Sequence, residues 1–160
     1  MAHYTTKVKP TRLETAAPEA LAINGFAAHP ELWDNAPTFD DVARDVADLL
    51  EGAILVGHNV RFDAAFLSEA LRRSGIQARI DYHMVDTIVL AHEHLVPCGL
   101  EFLKLDAVRD FLGISKEGAH TALKDALDAR LVHKTLARAT AFDRLRWRLG
   151  HAARNFRKRA

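Results

Sequence analysis

Only one cysteine, Cys98, occurs in the 160 residues. That excludes an internal disulfide framework and makes a reducing compartment, the cytoplasm, the expected location. No long apolar run opens the chain: Met1 to Pro10 carries nothing that would serve as a signal peptide or a membrane span, and neither end shows a lipidation signal. Internal repeats and low-complexity stretches are absent. Acid is missing from the last segment: from Arg144 onward there are seven Lys or Arg and no Asp or Glu. With a net charge of +1 for the whole chain, subtracting those seven leaves −6 for residues 1–143. A cationic segment of this kind attracts phosphate backbones without reading sequence, the plainer alternative being a solvated terminal charge block. What is present is ordinary for one globular domain: 49% hydrophobic and 27% charged residues, enough apolar material for a core.

The patterning reads as alternating strands and helices, hence an α/β fold. Tyr4 to Lys9 alternates and is rich in β-branched and aromatic residues, which predicts a short strand stopped by Pro10. Pro18 to Ile23 predicts a short helix stopped by Asn24-Gly25. Thr38 is the expected N-cap of the next helix, with Asp40 and Asp41 at the positive end of its dipole and Val42, Val46, Leu49 and Leu50 as its apolar stripe. The run Ala53 to Val56, ended by Gly57, suits a strand buried on both faces. Phe62 to Arg73 predicts a helix with Phe66, Leu67 and Leu71 inward, Ile80 to Val85 a strand, and Thr87 to Leu95 a helix ended by Pro97. Leu100 to Phe111 and Thr121 to Ala139 are read as helices, and a last basic helix is expected from Phe142 into the tail.

Two segments carry chemistry. In Gly57-His58-Asn59-Val60-Arg61-Phe62-Asp63 a strand turns into a helix, the place where α/β proteins usually bind ligands. Gly57 permits close backbone approach, and Asp63 falls in a first helical turn, where an acid is also a common stabiliser. In His120-Thr121-Ala122-Leu123-Lys124-Asp125 the histidine stands at a loop-to-helix junction and the aspartate lies between one and two turns further on. The two do not share a face of an ideal helix, but converge if His120 bends back over Asp125. Asp128 is read as a solvated or capping carboxylate.

Together the two segments resemble the DEDDh group of exonucleases, the DnaQ-like superfamily that includes polymerase proofreading subunits and RNase T. The second motif of that family, Asn-x-x-Phe-Asp, matches Asn59, Phe62 and Asp63; the third, His-x-Ala-x-x-Asp, matches His120, Ala122 and Asp125. Asp86-Thr87 and the helix ending at Gly113 are similar to the family's spacer, and the likeness runs from about Thr6 to Leu136. It implies a ribonuclease H-like mixed sheet flanked by helices, an exonuclease domain over residues 1–140 and a basic helix or tail over 141–160. It also implies 3′→5′ exonuclease activity on DNA or RNA, using two Mg²⁺ or Mn²⁺ ions roughly 3.5–4 Å apart. Asp63 and Asp125 then match metal-binding carboxylates, and His120 the general base. His58, Asn59 and Phe62 would border the terminal nucleotide, with Ile23 and Phe26 packing on its base. The implied partners are a nucleic acid with a single-stranded 3′ end, and a DNA polymerase or a second chain; no membrane is expected.

The sequence departs from the family at the first motif. No Asp-x-Glu occurs anywhere in residues 1–160, and only Met1-Ala2-His3 precede the Tyr4 strand. Two of the four metal carboxylates are therefore missing, and with them the family's first two strands. A start assigned too late, or a truncated gene, is the expected explanation. The others are strands supplied by another chain, and a decayed relative that still binds nucleic acid. A non-catalytic nucleic-acid-binding module is the leading alternative function. A zinc site using His92, His94 and Cys98 with His83 is a weaker one, since His92 and His94 are two apart on a predicted helix and face different ways.

Overall fold

The structure is a computed structural model and describes residues 4–119 and 121–159. The described elements are α1 (Pro18–Ile23), α2 (Phe39–Leu50), β1 (Leu55–Gly57), α3 (Val60–Arg73), β2 (Met84–Asp86), α4 (Thr87–Leu95), α5 (Leu105–Leu112), α6 (Ala122–Leu136) and α7 (Ala141–Arg159), with three short 3₁₀ turns between them. The chain divides into two compact units, one of Met1–Leu55 with Phe62–His83 and the other of Val56–Arg61 with Met84–Ala160. No helix among the described residues is long and apolar enough to cross a membrane.

In the first unit, α2 starts where the sequence places it. The Asp41 carboxylate accepts hydrogen bonds from the Thr38 hydroxyl (2.7 Å) and the Thr38 backbone N–H (2.8 Å), which hold its carboxyl below the usual range. Ala43, Ala47 and Leu50 of α2 pack with Leu71 of α3 as the core, and Phe39, Val46, Leu67 and Ile76 flank them. Leu49 stays 45% exposed. Phe66 is also outside the core: it is 63% exposed and lies against Phe62, with ring centroids 4.7 Å apart. Of the α3 positions in this unit, Ala64 and Leu71 are buried.

Tyr4 to Lys9 is not a strand. Its polar groups go to a turn instead of a ladder: the Lys9 N–H donates to the Pro37 carbonyl, Lys9 Nζ donates to the Asp34 carbonyl, and Lys7 Nζ sits 4.6 Å from the Trp33 ring centroid. Alternation is necessary for a strand but does not supply an edge to pair with.

In the second unit β1 and β2 pair as a small sheet of parallel strands, the only one among the described residues. Neither Ile54 (56% exposed) nor Val56 (42%) is buried, so the expectation of a strand covered on both faces is not met. Leu100 to Lys104 is extended and α5 begins only at Leu105, later than the apolar pattern predicts. The core joins Ala91 and Leu95 of α4, Val108 and Phe111 of α5, Val132 and Leu136 of α6, and Trp147 of α7. The last of these ties the basic helix into the unit, where sequence alone allows a frayed terminus.

Candidate functional site

In the second unit, β1 ends at Gly57 and the chain turns sharply into α3. A Cβ on Gly57 would meet Val60 at 3.2 Å, so the close approach expected of this glycine is real. Asn59 takes the left-handed conformation, with φ of +68°, which its short polar side chain tolerates. That twist aims two backbone N–H groups at one carboxylate. Asp86, at the end of β2, accepts from Asn59 N (3.0 Å) and Val60 N (3.2 Å), and also from Ile88 N (2.9 Å) as the N-cap of α4. One side chain thus satisfies orphan donors at the starts of two helices.

His58 is built into the same corner. Its Nδ1 lies 2.9 Å from the Thr87 hydroxyl, and its Nε2 lies 2.8 Å from the Leu103 carbonyl. A carbonyl can only accept, so Nε2 carries the proton and Nδ1 accepts from Thr87. Burial is the largest influence on this ring and pushes its pKa below the ordinary value, against the opposing pull of the Leu103 carbonyl and of Asp86. The neutral ring works as a brace between β1, α4 and the segment before α5.

A second cluster joins α5 to α6. Arg109 is 1% exposed and directs all three of its nitrogens at carboxylates: Nε to Asp128 (2.7 Å), Nη1 to Asp106 (2.7 Å) and Nη2 to Asp125 (2.5 Å). Lys124 Nζ holds both oxygens of Asp128, at 2.5 and 2.6 Å, and reaches the Ser115 carbonyl. Burial opposes charge on Arg109, but its bonds to Asp125, Asp128 and Asp106 outweigh that and hold the guanidinium above its ordinary pKa. Burial likewise works against the Asp128 carboxylate, and Lys124 and Arg109 overcome it, leaving Asp128 below the usual range. Asp128 is therefore neither solvated nor a cap. It is 4% exposed and is the buried half of an ion pair.

The residues singled out by sequence fall as follows. Asp63 is exposed in the first turn of α3 and belongs to the first unit. Asp125 stands in the first turn of α6 in the second unit. His120 lies outside the described residues. Asn59 and His58 are brought together with Asp86, Thr87 and Leu103. Phe62 is 58% exposed and Ile23 70% exposed, while Phe26 packs edge-on against Trp33 at 5.4 Å. Asp86 and Arg109 were not singled out as functional. An Asp between a strand and an apolar helix is a legible N-cap signal. An Arg set between Val108 and Phe111 on an apolar face is a signal of a buried charge in need of partners.

Among the described residues no group of three or more His, Cys, Asp or Glu side chains could hold a metal ion. This covers the candidate zinc residues: the Cys98 thiol donates to the carbonyls of His94 and Arg144, and no ligand set forms around it. It also covers Asp125, whose carboxylate is already engaged by a guanidinium. The described donors do not fit a two-cation centre by themselves.

An exonuclease family model matches residues 2–131. The chain is 33% identical over 123 residues to the DNA polymerase III subunit epsilon of Haemophilus influenzae, a match covering 74% of this chain and 45% of that protein. It is 34% identical over 144 residues to a DNA polymerase III subunit epsilon-like protein of Rhodobacter capsulatus, covering 89% of this chain and 18% of the relative. To the 3′-5′ exonuclease DinG of Bacillus subtilis it is 33% identical over 96 residues, covering 60% and 10%. The chain spans less than half the length of each of these relatives. No solved structure matches.

Proposed function

The chain belongs to the exonuclease family, and from that premise we propose that it hydrolyses the terminal phosphodiester at a single-stranded 3′ end of DNA or RNA. The observation that carries this reading is a single family match that spans both motif segments, Asn59 to Asp63 and His120 to Asp125. Relatives named as an exonuclease and as polymerase subunits support it, and they make a DNA polymerase the first partner to test. The family generally uses divalent metals; Mg²⁺ or Mn²⁺ suits carboxylate ligands. In this reading Asp63 and Asp125 are the carboxylates offered to a cation, and His120 takes the proton of the attacking water. His58, Asn59 and Phe62 border the terminal nucleotide, with His58 bracing the turn on which Asn59 stands. Ile23 and Phe26 offer apolar surface to its base. The fold is read as ribonuclease H-like, with β1 and β2 as two of its strands and the family's first two strands absent from the described residues. The exonuclease domain is read over residues 1–140, followed by the basic helix α7, whose described arginines, Arg144, Arg146 and Arg148, are offered to a phosphate backbone.

Residues 1–160 contain no Asp-x-Glu, so this chain alone is expected to turn over slowly. Binding and cleavage of a 5′-labelled single strand in Mn²⁺, measured side by side, test the proposal. It expects binding that depends on a free 3′ end, and slow stepwise shortening that Asp63→Ala and Asp125→Ala each abolish. Binding with no shortening at all, unchanged in both variants, would overturn it in favour of a non-catalytic nucleic-acid-binding relative. The engagement of Asp125 by Arg109 is the observation on the side of that second reading. Rapid Mg²⁺-dependent release of mononucleotides would instead remove the argument from the missing carboxylates.

A further inference from the structure

The outer side of α6 is apolar where a surface helix is ordinarily polar. Leu123, Leu127 and Leu131 are all exposed and recur one helical turn apart, on the side away from the buried Ala129, Val132 and Leu136. They form one stripe about 12 Å long. At Leu131 the stripe runs into a cavity of about 510 Å³ between α6, α7 and the segment after α5, whose apolar lining is Leu112, Ile114, Leu131 and Trp147. Charge of one sign frames it. Arg130 and Lys134 stand three residues on from Leu127 and Leu131, along one flank, and Arg146 lines the cavity on the other. The acids of α6 and α7 are already engaged. Asp128 is buried between Arg109 and Lys124, and Asp125 bonds to Arg109. Asp143, 3.8 Å from Arg146, accepts from the Thr140 hydroxyl and backbone N–H at the start of α7.

We infer that this face docks an acidic amphipathic helix of a partner protein. The apolar side chains of that helix lie along the α6 leucines, one of them in the cavity, and its Asp and Glu side chains meet Lys134 and Arg146. A contiguous apolar stripe rimmed by charge is the pattern of a protein interface. Positive rims steer an acidic partner in and turn a basic one away. Arg146 suits a phosphate as well as a carboxylate, so the leucines decide between the two. Aliphatic side chains do not stack on bases as aromatic rings do, and nucleic-acid interfaces are polar. The cavity is the second argument: it is concave and takes a side chain, as a groove that receives a helix does. Neither observation depends on the exonuclease reading, since no residue of the stripe is among those assigned to the cation or the terminal nucleotide.

Fluorescence anisotropy on the full 160-residue chain tests this. The probe is a labelled helical peptide of leucine, alanine and glutamate, with leucines at helical spacing and glutamates on both flanks. A shuffled peptide of the same composition is the control. The ordered peptide is expected to bind roughly tenfold or more tightly than the shuffled one, and Leu127→Ser with Leu131→Ser to remove that difference. Both leucines are on the surface, so the fold is expected to survive. If circular dichroism shows otherwise, Lys134→Glu with Arg146→Glu serves as the readout: it should reverse the preference, toward a peptide with lysines in place of the glutamates. Equal affinity for ordered and shuffled peptides overturns the inference, as does a preference indifferent to both pairs of substitutions. Two further outcomes overturn it by naming another occupant. Single-stranded DNA binding lost in the leucine variant gives the face to nucleic acid. Self-association of the native chain, relieved in the same variant, gives it to a second copy. A failed cleavage assay would sink the exonuclease proposal and leave the docking face standing.

Discussion

His58 spends both ring nitrogens on its own fold, and this gives the protein a pH dependence with a definite sign. The folded state prefers the neutral ring, since burial holds its pKa below the ordinary 6.5 and a proton on Nδ1 would break the bond from the Thr87 hydroxyl. The stability it contributes is complete above the unfolded pKa. It declines as pH falls from there through the folded value, and levels off below it. The urea midpoint of the native chain should fall more steeply between about pH 7.5 and pH 5 than that of His58→Gln; parallel slopes would rule His58 out. Other side chains were legible in sequence to different degrees. Asp63 does stand in a first helical turn, a placement that local spacing alone defines, whereas Asp125, expected between one and two turns on from His120, stands in the first turn of α6 because that helix starts only at Ala122. Asp128 was misread because its partner Arg109 is 19 residues upstream, and no local pattern reports a tertiary ion pair.

At the scale of elements, boundaries set by local chemistry were readable and those set by tertiary packing were not. Helices α1 and α4 run over the residues the sequence assigns them, Pro18–Ile23 and Thr87–Leu95, because a proline at the start of one and the Pro97 stop beyond the other act within a few residues. The Tyr4 strand failed for want of a neighbour, and α5 starts late because the extended Leu103 carbonyl is claimed by His58. The least visible device is Asp86, which secures the starts of α3 and α4 together. Asp86→Ala is expected to cost about 2 kcal/mol or more in a denaturant titration, two helix caps being lost at once. Asp86→Asn should recover part of it, since Oδ1 alone serves Asn59 and Ile88. Equal loss in both variants would mean that the charge, rather than the acceptor geometry, is what matters.

Over the whole chain, each unit has a hydrophobic core of its own, and the basic end of the sequence belongs to one of them. Composition showed the charge of α7 but not its anchor: Trp147 is 9% exposed within the second core, whereas Phe142, on the same helix, is 73% exposed. Trp147→Ala is expected to lower unfolding stability by roughly 3–5 kcal/mol, and Phe142→Ala by less than about 0.5 kcal/mol. A similar small effect for both would show α7 to be an appendage after all. The same contact gives the molecule a built-in clock. Cys98, the sole thiol of the chain, is 5% exposed and points its proton at the carbonyls of His94 and Arg144, with burial pushing its pKa up. A maleimide can reach that sulfur only when the core around the turn after α4, which α7 helps to cover, opens. The labelling rate of the unaltered protein therefore counts those openings, and a rate raised by Trp147→Ala would assign them to the C-terminal helix.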